Sequence, residues 1–508
     1  MLCIFFSFIL IRLSSTRFLR FAQIFFDDFS AEREDRERMG LKIGGQVEKV
    51  NGKQLSYADF VDKYLARNQP VVLTGLMDDW RACKDWVSGD GKPDLGFFSA
   101  HFGGSRVQVA DCGEREFTDQ KRLEMLVSDF IDSWVEISGS DNGGGDGKSL
   151  YLKDWHFVKE YPDYIAYTTP IFFLDDWLNL YLDKYAMHDD PDSYQETNEI
   201  SCSDYRFVYM GSKGTWTPLH ADVFRSYSWS ANVCGRKKWY FLSPSQHHLV
   251  FDRYMKSSVY DIFEDVCKSK YPGFEKAVWL ECTQEKSEII FVPSGWYHQV
   301  HNTEDTISIN HNWFNAYNIS WVWDLILRDY HEAKGYIEDI KDICDDFEGL
   351  CQKNLAANSG IDFRDFFILL IRFALANFLL FYHMSTNEKN VVWWSSSQMA
   401  QLLVINLKNI KLVTLRMKSE SAWQNRGIAS INIDETLKDQ SFIEFCNALA
   451  VTYLKTCNHS EVNFSPSHFF LGHEQLNLRP NLFCTRICNP DELLSFLDRA
   501  LELVGIEA

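Results

Sequence analysis

Between Asp204 and Phe314 the chain reads YRFVYM (205–210), SYSWSANV (226–233), KWYFL (238–242), AVWLECT (277–283), EIIFV (288–292) and TISINHNWF (306–314). Each run is short, rich in aromatic and β-branched residues, and bounded by Gly, Pro, Ser or Lys. Many short strands at close spacing predict an all-β sandwich or barrel. Upstream, PVVLTG (70–75) and Val107–Ala110 are further short strands among helical stretches, so residues 39–200 read as an α/β region that completes the barrel around 201–320. Downstream, WVWDLILRDYHEAKGYIEDIKDICDDFEGLCQKNL (321–355) places apolar residues three and four apart, and helices are expected through 321–508.

Bulk properties narrow the function. The 508 residues carry a net charge of −20, which argues against direct binding of nucleic acid, where lysine and arginine must neutralise phosphates. An acidic surface suits a basic peptide or protein as partner. Thirteen cysteines, scattered and odd in number, read as reduced thiols of the cytosol or nucleus. Two apolar stretches need an explanation. LCIFFSFILI (2–11) is signal-like but has no basic region before it and no small-residue cleavage site, and residues 1–38 are expected to be a poorly structured extension. FFILLIRFALANFLLFY (366–382) is interrupted by Arg372 and Asn377, which predicts a buried helix in preference to a membrane span. SGSDNGGGDGK (138–148) lacks the ending of a phosphate-binding loop, and 187–199 reads as an acidic, solvated loop.

Three His-x-acid tripeptides occur, beginning at His188, His220 and His459. Two histidines and one carboxylate on one face hold iron(II) and leave positions open for other ligands; the close pair is usually His-x-Asp or His-x-Glu. Only His220/Asp222 lies in the strand-rich block, and only it is followed by a second motif, PSGWYH, ending at His298.

Together TWTPLHAD (215–222), NVCGRKKWYFLSP (232–244) and IIFVPSGWYHQVHN (289–302) resemble the JmjC oxygenases, a likeness covering roughly residues 55–320. Within that family the stretch from Asp204 to Trp239 is most similar to the small JmjC-only hydroxylases. The resemblance implies a double-stranded β-helix, the cupin-type jelly roll, with N-terminal α/β elements and a helical C-terminal region. It implies His220, Asp222 and His298 as iron ligands and catalytic residues. It implies Lys237, with Thr217 and Tyr151, around the distal carboxylate of 2-oxoglutarate, and polar Asn310 and Asn312 facing the pocket. Strand alternation turns Lys238 the other way. Iron(II) would be the cofactor, 2-oxoglutarate and dioxygen the cosubstrates, succinate and carbon dioxide the co-products. The substrate implied is a lysine side chain of a translation release factor. The alternative is demethylation of arginine or lysine on a histone-like basic tail, with formaldehyde released. A scaffold with a vestigial site would lack a ligand or the lysine, and all are present.

Overall fold

The strand-rich run closes into a two-sheet barrel in a computed structural model that describes residues 40–139, 149–185, 204–263, 266–386, 398–420, 430–457 and 485–503. The barrel strands in chain order are β1 (Lys42–Gln46), β2 (Glu48–Asn51), β3 (Val71–Thr74), β4 (Arg106–Glu116), β5 (Asp119–Leu126), β6 (Leu150–Trp155) and β7 (Arg206–Gly211). They continue as β8 (Trp216–His220), β9 (Tyr227–Cys234), β10 (Lys237–Leu242), β11 (Val278–Gln284), β12 (Glu288–Val292), β13 (Tyr297–Asn302) and β14 (Thr306–Trp313). The smaller sheet has the order β1-β11-β10-β13-β8 and the larger β2-β3-β12-β9-β14-β7-β6-β4-β5. From β7 to β14 successive strands alternate between the sheets except at the β10–β11 hairpin, where the winding turns back within the smaller sheet, which is the pattern of a double-stranded β-helix. The expected N-terminal extension, most of the glycine-rich loop and the acidic loop lie outside the described residues.

Strand alternation assigns the two faces of the larger sheet. On β9, Tyr227, Trp229, Ala231 and Val233 turn outward, joining Val208, Met210, Ile307, Ile309 and Trp313 in one core. The N-terminal helices α1 (Leu95–Phe102) and α2 (Val127–Gly139) cover that face through Phe98, Phe102, Phe130 and Trp134. Burying each of these large rings contributes roughly 1.5–3 kcal/mol. The residues between them turn inward, and they are polar: Ser228, Ser230 and Asn232 on β9, and Ser308, Asn310 and Asn312 on β14. The barrel floor is apolar, with Trp239, Phe241 and Val300 of the smaller sheet packed on Val72, Ile290 and Val292 of the larger.

A short helix, α3 (Trp177–Leu182), joins the barrel to the helical region formed by α4 (Ile319–Tyr336), α5 (Phe347–Ser359), α6 (Phe363–Thr386), α7 (Gln398–Lys418), α8 (Gln440–Cys457) and α9 (Pro490–Leu503). The Trp177 ring stacks on Phe373 with centroids 4.2 Å apart, and its backbone N–H donates to Phe314 O at 2.9 Å. Helix α6 is long and apolar enough to cross a membrane by length and composition, yet here most of it is buried against other helices. The two residues that interrupt its apolar run are contacts. Arg372 donates to Tyr181 Oη at 2.5 Å and lies 3.7 Å over the Tyr185 ring. Asn377 Oδ1 accepts from Asn406 Nδ2 at 2.8 Å and from Tyr453 Oη at 3.3 Å, tying α6 to α7 and α8. Asn406 also donates to Tyr453 Oη at 2.8 Å, so three buried polar side chains bond one another, with Asn406 Oδ1 left without a partner among the described residues. Asn406→Ala is therefore expected to destabilise the protein by about 1–3 kcal/mol, read as a lower urea midpoint with unchanged slope.

Candidate active site

Strand β8 ends at His220, and its antiparallel pairing with β13 sets His298 directly opposite. The two imidazoles face each other with ring centroids 4.3 Å apart. After His220 the chain leaves the strand through Ala221 and presents Asp222 at the start of a short 3₁₀ turn, Val223–Arg225. One ligand atom from each of His220, Asp222 and His298 lies within 4.8 Å of the others, so the three could hold a metal ion.

Their surroundings prepare them as ligands. His220 Nδ1 lies 2.8 Å from Pro218 O, and His298 Nδ1 lies 3.1 Å from Trp296 O. A carbonyl only accepts, so each ring carries its proton on Nδ1 and keeps the Nε2 lone pair for a metal. Burial first, and neighbouring His220 second, hold His298 down at about 4 against the pull of Asp222, so it is neutral at physiological pH. Asp222 Oδ2 accepts from Ser228 Oγ at 2.7 Å, which fixes the carboxylate and leaves its other oxygen available. Two imidazoles and one carboxylate fit a six-coordinate divalent iron with open positions.

Deeper in the barrel stands Lys237. It pairs with Asn302 across β10 and β13 and shares the inward face with Trp239 and Phe241. It is 2% exposed, so its ammonium is held in the interior. Among the described residues its donors reach only hydroxyls, Ser308 Oγ at 2.7 Å and Tyr151 Oη at 3.3 Å. Burial, with the nearby Lys153 adding repulsion, draws it down to about 7. A buried ammonium without a counter-ion is costly, and an incoming carboxylate would supply one. Lys238 takes the opposite face, as alternation predicts, and bonds Glu281 at 2.7 Å.

Tyr151 enters through a gap in its neighbour. It opposes Gly211 across β6 and β7, and a Cβ at Gly211 would collide with the Tyr151 ring and with Thr215 Oγ1. Thr217 faces inward because three steps along β8, from Thr217 to His220, oppose two along β13, from Val300 to His298. Without that bulge Thr217 would lie on the outer face. Among the described residues its hydroxyl has no hydrogen-bond partner. Asn310 donates to Ser308 Oγ at 3.2 Å and Asn312 to Ser226 Oγ at 3.3 Å, both on the inward face of β14.

The other sequence candidates fall elsewhere. His301 stacks on Trp216 on the outer face of the smaller sheet, and His311 lies in the aromatic core beside Trp229 and Tyr167. His188 and His459 lie outside the described residues. Sequence patterns did not single out Ser308 and Ser228, although alternation from Asn310 and along β9 points to both. Nor did they single out a second buried lysine, Lys153, two residues beyond Tyr151 on β6.

Comparison with known proteins agrees with this geometry. The profile of the cupin-like domain family matches residues 57–319. The chain is 55% identical over 460 residues to an arginine-specific demethylase, JMJ20, of Arabidopsis thaliana, covering 91% of this chain and 97% of that protein. It is 41% identical over 319 residues to the 2-oxoglutarate and iron-dependent oxygenase JMJD4 of Danio rerio, covering 62% and 71%. A weaker match, 26% identical over 294 residues, is the bifunctional arginine demethylase and lysyl-hydroxylase psr-1 of Caenorhabditis briggsae, covering 56% and 65%.

Two substitutions test the site without touching a ligand. Ser228→Ala frees the Asp222 carboxylate and is expected to weaken manganese(II) binding roughly tenfold, by paramagnetic resonance titration. Gly211→Ala must push the Tyr151 ring aside and is expected to weaken 2-oxoglutarate about tenfold, about 1.4 kcal/mol, by calorimetry on the manganese-loaded protein.

Proposed function

The chain belongs to the cupin-like JmjC oxygenases, which depend on iron and 2-oxoglutarate, and on that premise we propose that it oxidises a basic side chain of a protein substrate. The observation that carries this is the pairing of the His220–Asp222–His298 cluster with a buried Lys237 that, among the described residues, bonds hydroxyls and no carboxylate, in one polar-lined barrel. His220, Asp222 and His298 would hold the iron(II). When bound, the iron supplies the oxidative chemistry that converts 2-oxoglutarate and dioxygen to succinate and carbon dioxide and attacks a C–H bond.

The chain's own residues do the positioning. Lys237 receives the distal carboxylate as a charge-assisted pair, with the Tyr151, Ser308 and Thr217 hydroxyls around it. Asn310 and Asn312 present amides along the same wall. Trp239, Phe241 and Val300 close the floor and keep water from the reacting end. Ser228 steadies Asp222, and the Pro218 and Trp296 carbonyls fix both imidazoles.

The finer reading is hydroxylation of a lysine in a translation release factor. It is supported by the likeness to the JmjC-only hydroxylases, and by a net charge of −20 that attracts a basic segment. The second reading, demethylation of N-methylarginine, is supported by the named activity of the 55% identical plant relative. Both use one chemistry and differ in which C–H bond stands over the metal. A reducing compartment, cytosol or nucleus, belongs to the proposal; the ten described cysteines are free thiols.

Anaerobic loading with iron(II) and 2-oxoglutarate, then oxygen with a recombinant release factor and methylated histone peptides, separates the readings. The expected result is one retained oxygen on a release-factor lysine, by mass spectrometry, absent in His220→Ala and Asp222→Ala. Methyl loss with formaldehyde would establish the second reading, and no change in either substrate would reject both.

A further inference from the structure

Lys153 is a second buried cation in the same barrel, and nothing in the mechanism above uses it. It lies two residues beyond Tyr151 on β6, so both side chains share the inward face, while Leu150 and Leu152 turn to the outer aromatic core. Like Lys237 it is 2% exposed. Its Nζ lies 5.1 Å from the centroid of the Tyr151 ring, and that of Lys237 lies 5.9 Å from the same centroid.

The hydrogen bonding of Lys153 is that of a lysine built for a ligand. Its ammonium donates to Gln120 Oε1 at 2.9 Å. The amide cannot be turned round, because Gln120 Nε2 donates to Trp216 O, on the strand of His220, at 3.1 Å. Among the described residues no carboxylate reaches Lys153 within ion-pair distance. Asp119 and Asp154 attract it only at longer range, and their close contacts go to Arg122, at 3.3 and 3.0 Å. Lys238 shows the ordinary arrangement in this chain, half-buried and paired with Glu281.

A merely structural role accounts poorly for this. Two like charges around one ring repel, and Lys153 lowers the proton affinity of Lys237 for that reason. Burial chiefly, and Arg122 next, draw Lys153 itself to about 8. For folding alone a methionine of similar length would serve better at this position. Two ammonium groups at one pocket are balanced by a ligand with two negative charges.

We propose that Lys153 is a second anion-holding residue of the pocket, so that the dicarboxylate cosubstrate is received by two protein cations as well as by the metal. The proposal rests on the oxygenase reading, and it adds a positioning residue on β6 to Lys237 on β10. It implies that 2-oxoglutarate has affinity for the protein before any metal is bound. One Lys153 N–H is committed to Gln120, which leaves two for a carboxylate oxygen.

The test measures 2-oxoglutarate binding by calorimetry and by the shift in melting temperature. The full chain is used in two arms, metal-free in chelator and manganese-loaded under argon. Lys153→Met keeps the apolar stem and removes the charge, Lys153→Gln is a second neutral variant should the first fail to fold, and Lys237→Met is the control. The expected result is affinity reduced roughly ten- to hundredfold in both arms for either Lys153 variant. The ligand-free melting temperature should be unchanged or raised, and Lys153→Arg should recover part of the binding. If the Lys153 variants bind like the wild type while Lys237→Met does not, Lys153 is structural and the cosubstrate reading survives. Lys153 is likewise structural if its variants lose stability but keep the ligand-induced shift. If the wild type binds 2-oxoglutarate in neither arm, or Lys237→Met binds normally, the pocket assignment fails and this inference with it.

Discussion

The active-site geometry depends on one antiparallel pairing, that of β8 with β13. It sets His220 opposite His298, and the bulge beside it turns Thr217 to the same face. A slip of one residue would send the histidines to opposite faces of the sheet. The pairing is held from behind by β10, where Phe241 opposes His298 and Lys237 opposes Asn302. His220, His298 and Lys237 are thus spaced by backbone hydrogen bonds on three adjacent strands, a rigid support for a site that must be accurate to a fraction of an ångström.

The larger sheet reverses the usual disposition of polar and apolar residues. Its outer face is oily because the N-terminal helices cover it, and its inner face carries serine, asparagine, tyrosine and lysine. Buried polar groups are costly unless bonded, and several here bond only each other or keep unused donors and acceptors, Ser230 Oγ and the side-chain oxygen of Asn232 among them. Such a wall is stable when a polar ligand completes it. The apolar patch of Trp239, Phe241 and Val300 has the complementary role, since it lowers the local dielectric around any charge bound beside it.

This inversion also explains what the sequence reveals and what it hides. The β-rich block and the helical C-terminal region could be read from periodicity, a local property, whereas the double-stranded β-helix came only from the family resemblance that three motifs carry. Helix α6 could be read as buried because Arg372 and Asn377 break its apolar run, and both prove to be packing contacts. Ser228, Ser308 and Lys153 were not legible in the same way. Each is a common residue type whose meaning comes from the strand beside it. The inward turn of Thr217 depends on a bulge that no residue pattern in β8 announces.

Backbone strain marks the places where the chain bends at the site. Phe224 and Arg225 have φ of 55° and 51°, two and three residues after Asp222, and Asp154 has φ of 57°, immediately after Lys153. Residues with side chains held in the left-handed region cost about 1–3 kcal/mol each. Each is held by its own side chain: Phe224 is buried between Tyr205 and Phe314, Arg225 donates to Tyr297 Oη at 2.9 Å, and Asp154 bonds Arg122 and Tyr209 at 3.0 and 2.7 Å. Glycine would relax the backbone at any of the three and remove the contact that orients the turn. Phenylalanine, arginine and aspartate at these bends each trade local backbone ease for a side-chain contact.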